Sequence, residues 1–242
     1  MAIEPLTGIV IPCFNEAKRL AGERFLSFAL QHPTWHLVFI DDGSSDDTSQ
    51  IIQGLAAQAL AHNIHLQRVA HGGKAAAVWA GMQYLRTQNI PWAIWGFYDA
   101  DQSAPLSELA RLIDLFPKQM ADAIFASRIQ YLGTQITRHW WRHYLGRIFA
   151  TIVSLAVGLP IYDGQCGLKL FNAPLAATIF KEKFISAWIF DVEIVFRLKA
   201  LAATIAECPL LRWEDIGKSK LKLRDFIKAP WDLAKIYIHY RN

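Results

Sequence analysis

The sequence predicts an α/β fold in a single domain, with a mostly parallel sheet covered on both faces by helices. Three observations lead there. Short apolar runs alternate with segments of helical period through the first 130 residues. The runs are apolar almost throughout, as strands buried on both faces are. Polar residues gather where the runs end, which is where such sheets bind ligands.

Residues 8–12 (GIVIP) read as the first strand, followed by a helix over 16–30. Residues 35–41 (WHLVFID) form the second strand. In the helix over 47–61, Ile51, Ile52, Leu55 and Ala59 keep the helical period. Ser44 or Ser45 is its expected N-cap, with Asp46 and Asp47 favourable in the first turn. A third strand follows at 64–69, a helix at 74–87, a fourth strand at 92–98, a helix at 105–116 and a fifth strand at 123–127. After Arg128 the alternation stops. Residues 137–159 read as an aromatic, basic helical region, and 163–171 (DGQCGLKLF) as a Gly-rich loop running into a short strand. Residues 188–202 read as a helix entered from a loop. The tail, 221–240, reads as a helix bent near Pro230, with Phe226, Leu233 and Tyr237 on one side.

Composition narrows the class. The chain has 242 residues, 53% hydrophobic and 19% charged, enough for a large core and against disorder. No linker, low-complexity tract or repeat marks a second independent domain. The net charge of +4 is too mild to imply a nucleic-acid partner, and none is expected. Its distribution says more: residues 123–162 hold no acid but include Arg128, Arg138, Arg142 and Arg147, among aromatics. From Arg212 onward there are eight Lys/Arg against four Asp/Glu. Three cysteines, without C-x-x-C spacing, favour a reducing compartment over a disulfide framework or a zinc site. The first residues lack the basic region and long apolar core of a signal peptide. The longest stretch free of Asp, Glu, Lys, Arg and His, residues 148–162, has 15 residues, short of the ~20 that span a bilayer, so no transmembrane helix is expected in the chain.

Four polar strand ends carry the chemistry. Asp99-Ala100-Asp101 closes the fourth apolar run; its two carboxylates either converge on one hard cation shared with diphosphate oxygens, or cap the next helix. Of Asp41 and Asp42, one accepts hydrogen bonds from a base N–H or ribose hydroxyls, or the pair makes an Asx-turn with Gly43 at positive φ; both hold at once if each Asp takes one task. His71-Gly72-Gly73-Lys74 brings backbone N–H groups and an ammonium to phosphate, although neither the Walker A spacing nor G-x-G-x-x-G is present. The first strand ends in Cys13-Phe14-Asn15-Glu16. His139 and His143 stand four apart without a third ligand of matching spacing, and His62 and His65 flank a loop as polar surface.

Taken together, Ile11 to Glu16, Asp41 to Thr48, Gly73-Lys74 with Gly81, Asp99-Ala100-Asp101 and Ala126-Ser127-Arg128 resemble the family 2 glycosyltransferases in order and spacing. Asp163 to Phe171, Trp188 to Glu193, Trp213-Glu214 and Gly217 to Lys220 extend the likeness to the polyprenyl-phosphate hexosyltransferase branch, closest to the dolichyl-phosphate glucosyltransferases. His71-Gly72-Gly73-Lys74 replaces a more usual Asn-x-Gly-Lys-Gly. The resemblance implies a GT-A (Rossmann-like) three-layer α/β/α sandwich, with 1–130 as the nucleotide-sugar half and 131–242 as the acceptor- and membrane-facing half. It implies that Pro12, Asn15, Glu16, Asp41, Asp42 and Lys74 line the nucleotide pocket. Asp99 and Asp101 would hold Mg²⁺ or Mn²⁺ and the ribose–diphosphate. Arg128, Arg142 and Arg147 would face the acceptor phosphate, and Asp163, Gln165, Trp188 and Asp191 would surround the sugar and acceptor.

The activity so implied is inverting, metal-dependent transfer of a hexose, glucose from UDP-glucose, to a polyprenyl phosphate. A phosphate acceptor is already anionic near neutrality, so cations that position it matter more than a general base. Ile148, Ile152, Leu155 and Leu159 recur at helical spacing beside Trp140 and Trp141, either as core or as a face lying in a membrane interface. The expected location is cytoplasmic, peripheral at the inner face of the membrane. A saccharide acceptor, a GDP-mannose-dependent mannosyltransferase, a sugar-nucleotide pyrophosphorylase and a non-catalytic nucleotide-binding module remain the alternatives.

Overall fold

The computed structural model describes residues 5–59, 62–137, 140–216 and 223–241, excluding the side chains of 140–143, 145 and 223–227. The chain divides into two compact units: Met1–Gln102 with Leu168–Lys183, and Ser103–Gly167 with Phe184–Asn242.

The first unit holds strands β1 (Thr7–Cys13), β2 (Trp35–Asp41), β3 (Ile64–Arg68), β4 (Ile94–Tyr98) and β7 (Leu168–Asn172) in the order β3-β2-β1-β4-β7. All neighbours are parallel except β4 and β7. Helices α1 (Gly22–Gln31), α2 (Thr48–Gln58), α3 (Lys74–Thr87) and α6 (Ala173–Ile179) belong to the same unit. Phe39 and Ile40 are adjacent on β2 and so point to opposite faces. Phe25 of α1 packs edge-on against Phe39, whereas Gly81 of α3 lies on Ile40 and Val10. The sheet is therefore covered on both sides. A Cβ at Gly81 would stand 2.3 Å from a Val10 methyl, so α3 sits on β1 only because this residue has no side chain.

The second unit pairs β5 (Ala123–Ser127) with β8 (Ile205–Pro209) and β6 (Gln135–Thr137) with β9 (Arg212–Glu214), both in parallel. Its helices are α4 (Leu106–Leu115), α5 (Trp140–Val157), α7 (Phe190–Ala200) and α8 (Leu223–Arg241), with a 3-10 turn at Phe116–Lys118. Pro230 lies inside α8, whose inward stripe is Ala229, Asp232, Leu233 and Ile236. The Ser186 hydroxyl accepts the amides of Trp188 and Ile189 and donates to buried Asp232, which fixes the entry to α7.

Several expectations are corrected. Helix α1 begins at Gly22 rather than near residue 16, because the amides of Glu16 and Ala17 go to Thr48 Oγ1 and Asp46 instead of a helical ladder. Neither Ser44 nor Ser45 caps α2; Asp46 accepts the Thr48 amide, and Ser44 accepts that of Asn15. Strands β6, β8 and β9 and helix α6 are additional: β6 and β9 are three residues each, and β8 (IAECP) is half-buried without alternation. His139 lies outside the described residues, as does the side chain of His143.

His65 is not loop surface. It lies within β3, half-buried, with Nε2 2.9 Å from His36 Nδ1 and Nδ1 3.2 Å from the Tyr84 hydroxyl. Burial first, and the neighbouring His36 second, depress its pKa from 6.5 to about 4; burial also lowers that of His36. The unfolded chain therefore binds more protons than the fold between these values. Stability is full above about pH 6.5 and falls as pH drops toward 4. Thermal melts across this window should show the decline, and His65→Gln, which keeps hydrogen bonds but does not titrate, should flatten it. An unchanged slope in that variant would assign the decline to other groups.

Candidate active site

The first unit's site is built by a gap in the sheet. Leu6 C=O accepts from Ala93 on the β4 side, and Thr7 N–H donates to Thr34 on the β2 side. By alternation Pro12 turns toward β4, where it has no N–H to donate. The β1–β2 ladder runs on to Cys13 and Asp41, but the β1–β4 ladder stops at Val10 and Phe97. The two strands therefore separate at their carboxyl ends, at the point where strand order reverses, the usual ligand crevice of such sheets. Loops at this edge carry left-handed residues: Asn15 (φ 51°), Gly43 (φ 70°), Gly73 (φ 86°) and Gln102 (φ 55°). Two of these four, Asn15 and Gln102, are not glycine, so the loop holds them in a conformation that side-chain-bearing residues rarely adopt.

The carboxylates here divide into two kinds. Asp41 is fully buried; its oxygens accept the Ser44 amide at 2.9 Å and the Ser49 hydroxyl, with Arg68 Nε at 3.6 Å. Burial alone would raise its pKa, but these hydrogen bonds and the guanidinium hold it below the usual value. Asp41 thus closes the turn onto the Ser44 amide, three residues on rather than the two of an Asx-turn, and is closed to ligands, contrary to its expected place in the nucleotide pocket. Asp42, also buried, accepts the amides of Gly72 (2.7 Å) and Gly73 (2.9 Å), and His71 Nδ1 lies 2.9 Å from its carboxylate. Those two amides therefore bind Asp42 rather than standing open as a phosphate cradle. The His71 ring stacks on Phe14 at 4.2 Å. Glu16 pairs with Arg19 through two hydrogen bonds, and the Asn15 side chain accepts the Ser45 amide.

Asp99 and Asp101 differ from these. Asp99 is partly exposed, and the Lys74 ammonium, at the start of α3, stands 2.5 Å from its Oδ1. Burial, then Asp101 and Asp99, push the Tyr98 phenol well above its ordinary range against Arg24, which reports the negative potential of this turn. Among the described residues no three His, Cys, Asp or Glu converge as a metal cage. The donor types nonetheless fit a hard divalent cation: two carboxylates one residue apart at a strand end, one already drawing a cation.

In the second unit, a pocket brings together Arg128, Arg147, Asp163, Gln165 and Asp191, five residues the sequence nominated, with Val153 and Val195 behind them. Arg128 donates three hydrogen bonds to Asp163: its amide at 3.0 Å, and Nε and Nη2 at 2.7 Å each. Its guanidinium also lies 5.4 Å from the Trp213 ring centroid. Arg147 donates to Tyr162 C=O at 2.8 Å and lies over the Tyr162 ring at 3.6 Å. Asp191 is buried in the first turn of α7. Trp188 is half-buried ahead of α7 and is not a lining residue. The side chain of Arg142 and residues 217–220 lie outside the described residues. Glu207, on β8, escaped the sequence reading: it accepts the amides of Tyr162 and Asp163 at 2.7 and 2.8 Å, and nothing in the five-residue strand IAECP signals that role.

Asp42→Ala should leave two loop amides without their acceptor. A loss of about 1–3 kcal/mol is expected from the unmade bonds, with the 71–73 loop mobilised. Denaturant unfolding and hydrogen exchange at Gly72 and Gly73 measure both; unchanged exchange would show that Asp42 does not hold the loop.

Residues 8–180 match the family model described as Glycosyl transferase family 2. The chain is 32% identical over 260 residues to the dolichyl-phosphate β-glucosyltransferase of Saccharomyces cerevisiae, covering 98% of this chain and 75% of that protein. It is 30% identical over 251 residues to one from Trichomonas vaginalis, covering 98% and 72%. Among solved structures, glucosyl-3-phosphoglycerate synthase from Mycobacterium tuberculosis, in complex with Mn²⁺, UDP and phosphoglyceric acid, superposes with TM-score 0.67 at 13% identity, covering 98% of this chain and 78% of that one. A Pyrobaculum calidifontis mannosyltransferase in complex with GDP-Man and Mn²⁺ gives 0.62 at 16%, covering 97% and 64%. At such identities the structures speak for the fold, a GT-A arrangement of a mostly parallel sheet between helices. With the family model spanning most of its length, and with relatives named dolichyl-phosphate β-glucosyltransferases matching nearly all of it, this chain belongs to glycosyltransferase family 2.

Proposed function

We propose that the protein transfers glucose from UDP-glucose, with inversion, to a polyprenyl phosphate at the inner face of the cytoplasmic membrane, to which it is peripherally bound. Residues 1–130 serve the donor and 131–242 the acceptor and the membrane. The names of the relatives support the hexose, the β-linked product and the lipid phosphate.

One observation carries the acceptor class. Helix α5 has two apolar faces of different use. Gly146, Arg147, Ala150 and Val153 line the cationic pocket. Tyr144, Ile148, Ile152 and Leu155 project outward, 63%, 59%, 48% and 78% exposed. A pocket lined by arginines, on a helix whose back is exposed hydrocarbon, suits a phosphate joined to an isoprenoid chain. No helix among the described residues is long and apolar enough to cross a membrane. A saccharide acceptor would need Asp163 or Asp191 as general base, and the first of these already accepts three hydrogen bonds from Arg128.

In this reading Pro12, Asn15, Glu16, Asp42 and Lys74 shape the donor side, with Lys74 passing from Asp99 to the diphosphate. Asp99 and Asp101 would hold Mg²⁺ or Mn²⁺. The bound metal offsets the charge that collects on the departing nucleoside diphosphate. Arg128, Arg142 and Arg147 orient the acceptor phosphate. A phosphate oxygen bonds to the anomeric carbon as the bond to the diphosphate breaks, and UDP leaves as the anion. Asp163 keeps Arg128 in place, while Gln165, Trp188 and Asp191 bound the sugar.

Asp101→Asn should abolish transfer without unfolding, because it removes the chelating charge and keeps the shape. EDTA should act likewise, with Mg²⁺ or Mn²⁺ restoring turnover; full activity in chelator by wild type and variant alike removes the metal assignment. For the acceptor, a charge-assisted Arg–phosphate contact is worth about 1.5–3 kcal/mol. Arg142→Ala should therefore slow hexose transfer to short-chain polyprenyl phosphate by roughly tenfold to a hundredfold, and Arg142→Lys should recover part. Anionic vesicles should retain the protein at low salt and release it at high salt. Leu155→Glu should weaken retention and leave transfer to a short soluble acceptor unchanged. A better rate with a soluble saccharide would replace this reading.

A further inference from the structure

Residues Ile161–Gly164, between α5 and β7, have no regular secondary structure, yet charged side chains hold the main chain at their centre. Glu207 accepts both the Tyr162 amide (2.7 Å, Oε2) and the Asp163 amide (2.8 Å, Oε1). Arg147 donates to the Tyr162 carbonyl from the other side and covers its ring. The segment so fixed projects one functional group, the Asp163 carboxylate, onto which Arg128 closes with its amide, Nε and Nη2. Glu207 itself is placed by the β5–β8 ladder, opposite Phe125 and three residues before Arg128's level on the neighbouring strand. It is not a lining residue of the pocket.

We propose that Glu207 is a positioning residue for transfer. It sets Asp163, Asp163 sets Arg128, and the guanidinium then meets the acceptor phosphate in one orientation. The inference rests on the proposed role of Arg128 but concerns a residue that touches no substrate. The physical reason is geometric. An unstructured loop has many conformers, and a planar guanidinium recognises phosphate only in a narrow range of approach. A bidentate carboxylate bound to two successive amides removes that freedom, as a bound anion does in a backbone nest. Gln in its place keeps one acceptor and turns an NH₂ toward the second amide, so it restores one of the two contacts.

Glu207→Ala should raise the acceptor KM and lower acceptor-dependent kcat/KM by about tenfold to a hundredfold. UDP affinity by calorimetry and slow donor hydrolysis by water should stay within about twofold. Glu207→Gln, nearly isosteric, should recover part of the rate and serves if the alanine variant does not fold. Because Glu207 acts through Asp163, the Glu207→Gln/Asp163→Asn pair should be no worse than the poorer single variant. Hydrogen exchange at the Tyr162 and Asp163 amides, faster in Glu207→Gln than in wild type, reads the clamp without any substrate, so a wrong choice of acceptor and a wrong role for Glu207 are told apart. Unchanged exchange and acceptor kinetics in Glu207→Gln overturn the proposal. So do additive losses in the double variant, or donor hydrolysis falling in step with transfer.

Discussion

Pro12 has no N–H to offer β4, and the open carboxyl edge of the first unit's sheet follows from that. The β1–β2 ladder continues to Cys13 and Asp41 while the β1–β4 ladder ends at Val10 and Phe97. The chain ends of four strands are thereby presented around an opening rather than across a closed ladder. Each loop that leaves this edge must turn sharply, and each does so through a left-handed residue. Gly81 contributes from behind, since only its missing side chain lets α3 lie close enough to β1 to bring Lys74 to Asp99.

Carboxylates around this edge divide in two: some accept loop amides and hydroxyls, and one meets a lysine at the surface. Burial separates them. Asp41 and Asp42 are buried and take their hydrogen bonds from Ser44, Ser49, Gly72 and Gly73, so they serve the loops. Asp99 is partly exposed and is met by the Lys74 ammonium, a contact of modest strength at the surface. The same division recurs in the second unit, where Asp163 and Glu207 organise the loop and Arg128 faces the pocket.

Helix α5 presents two unlike faces. Arg147, Ala150 and Val153 face the pocket, while Ile148, Ile152 and Leu155 face outward. The 3.6-residue period puts these sets on different sides of one rod, so cationic recognition and hydrocarbon exposure come from the same 18 residues.

The order and type of the first five strands and four helices were legible in the sequence, because long apolar runs and helical periods are local signals; β2, α3 and β5 match to the residue. The D-x-D pair and positive φ at Gly43 were equally local. Tertiary structure decided that both adjacent aspartates are buried, that the Gly72 and Gly73 amides turn to Asp42, and that His65 pairs with His36 across 29 residues. It also decided that Ile148, Ile152 and Leu155 lie outside the core, a choice the helical period leaves open. Glu207 is the clearest case. Its partners lie 45 and 44 residues away and are backbone amides, which every sequence has and no side-chain pattern can reveal.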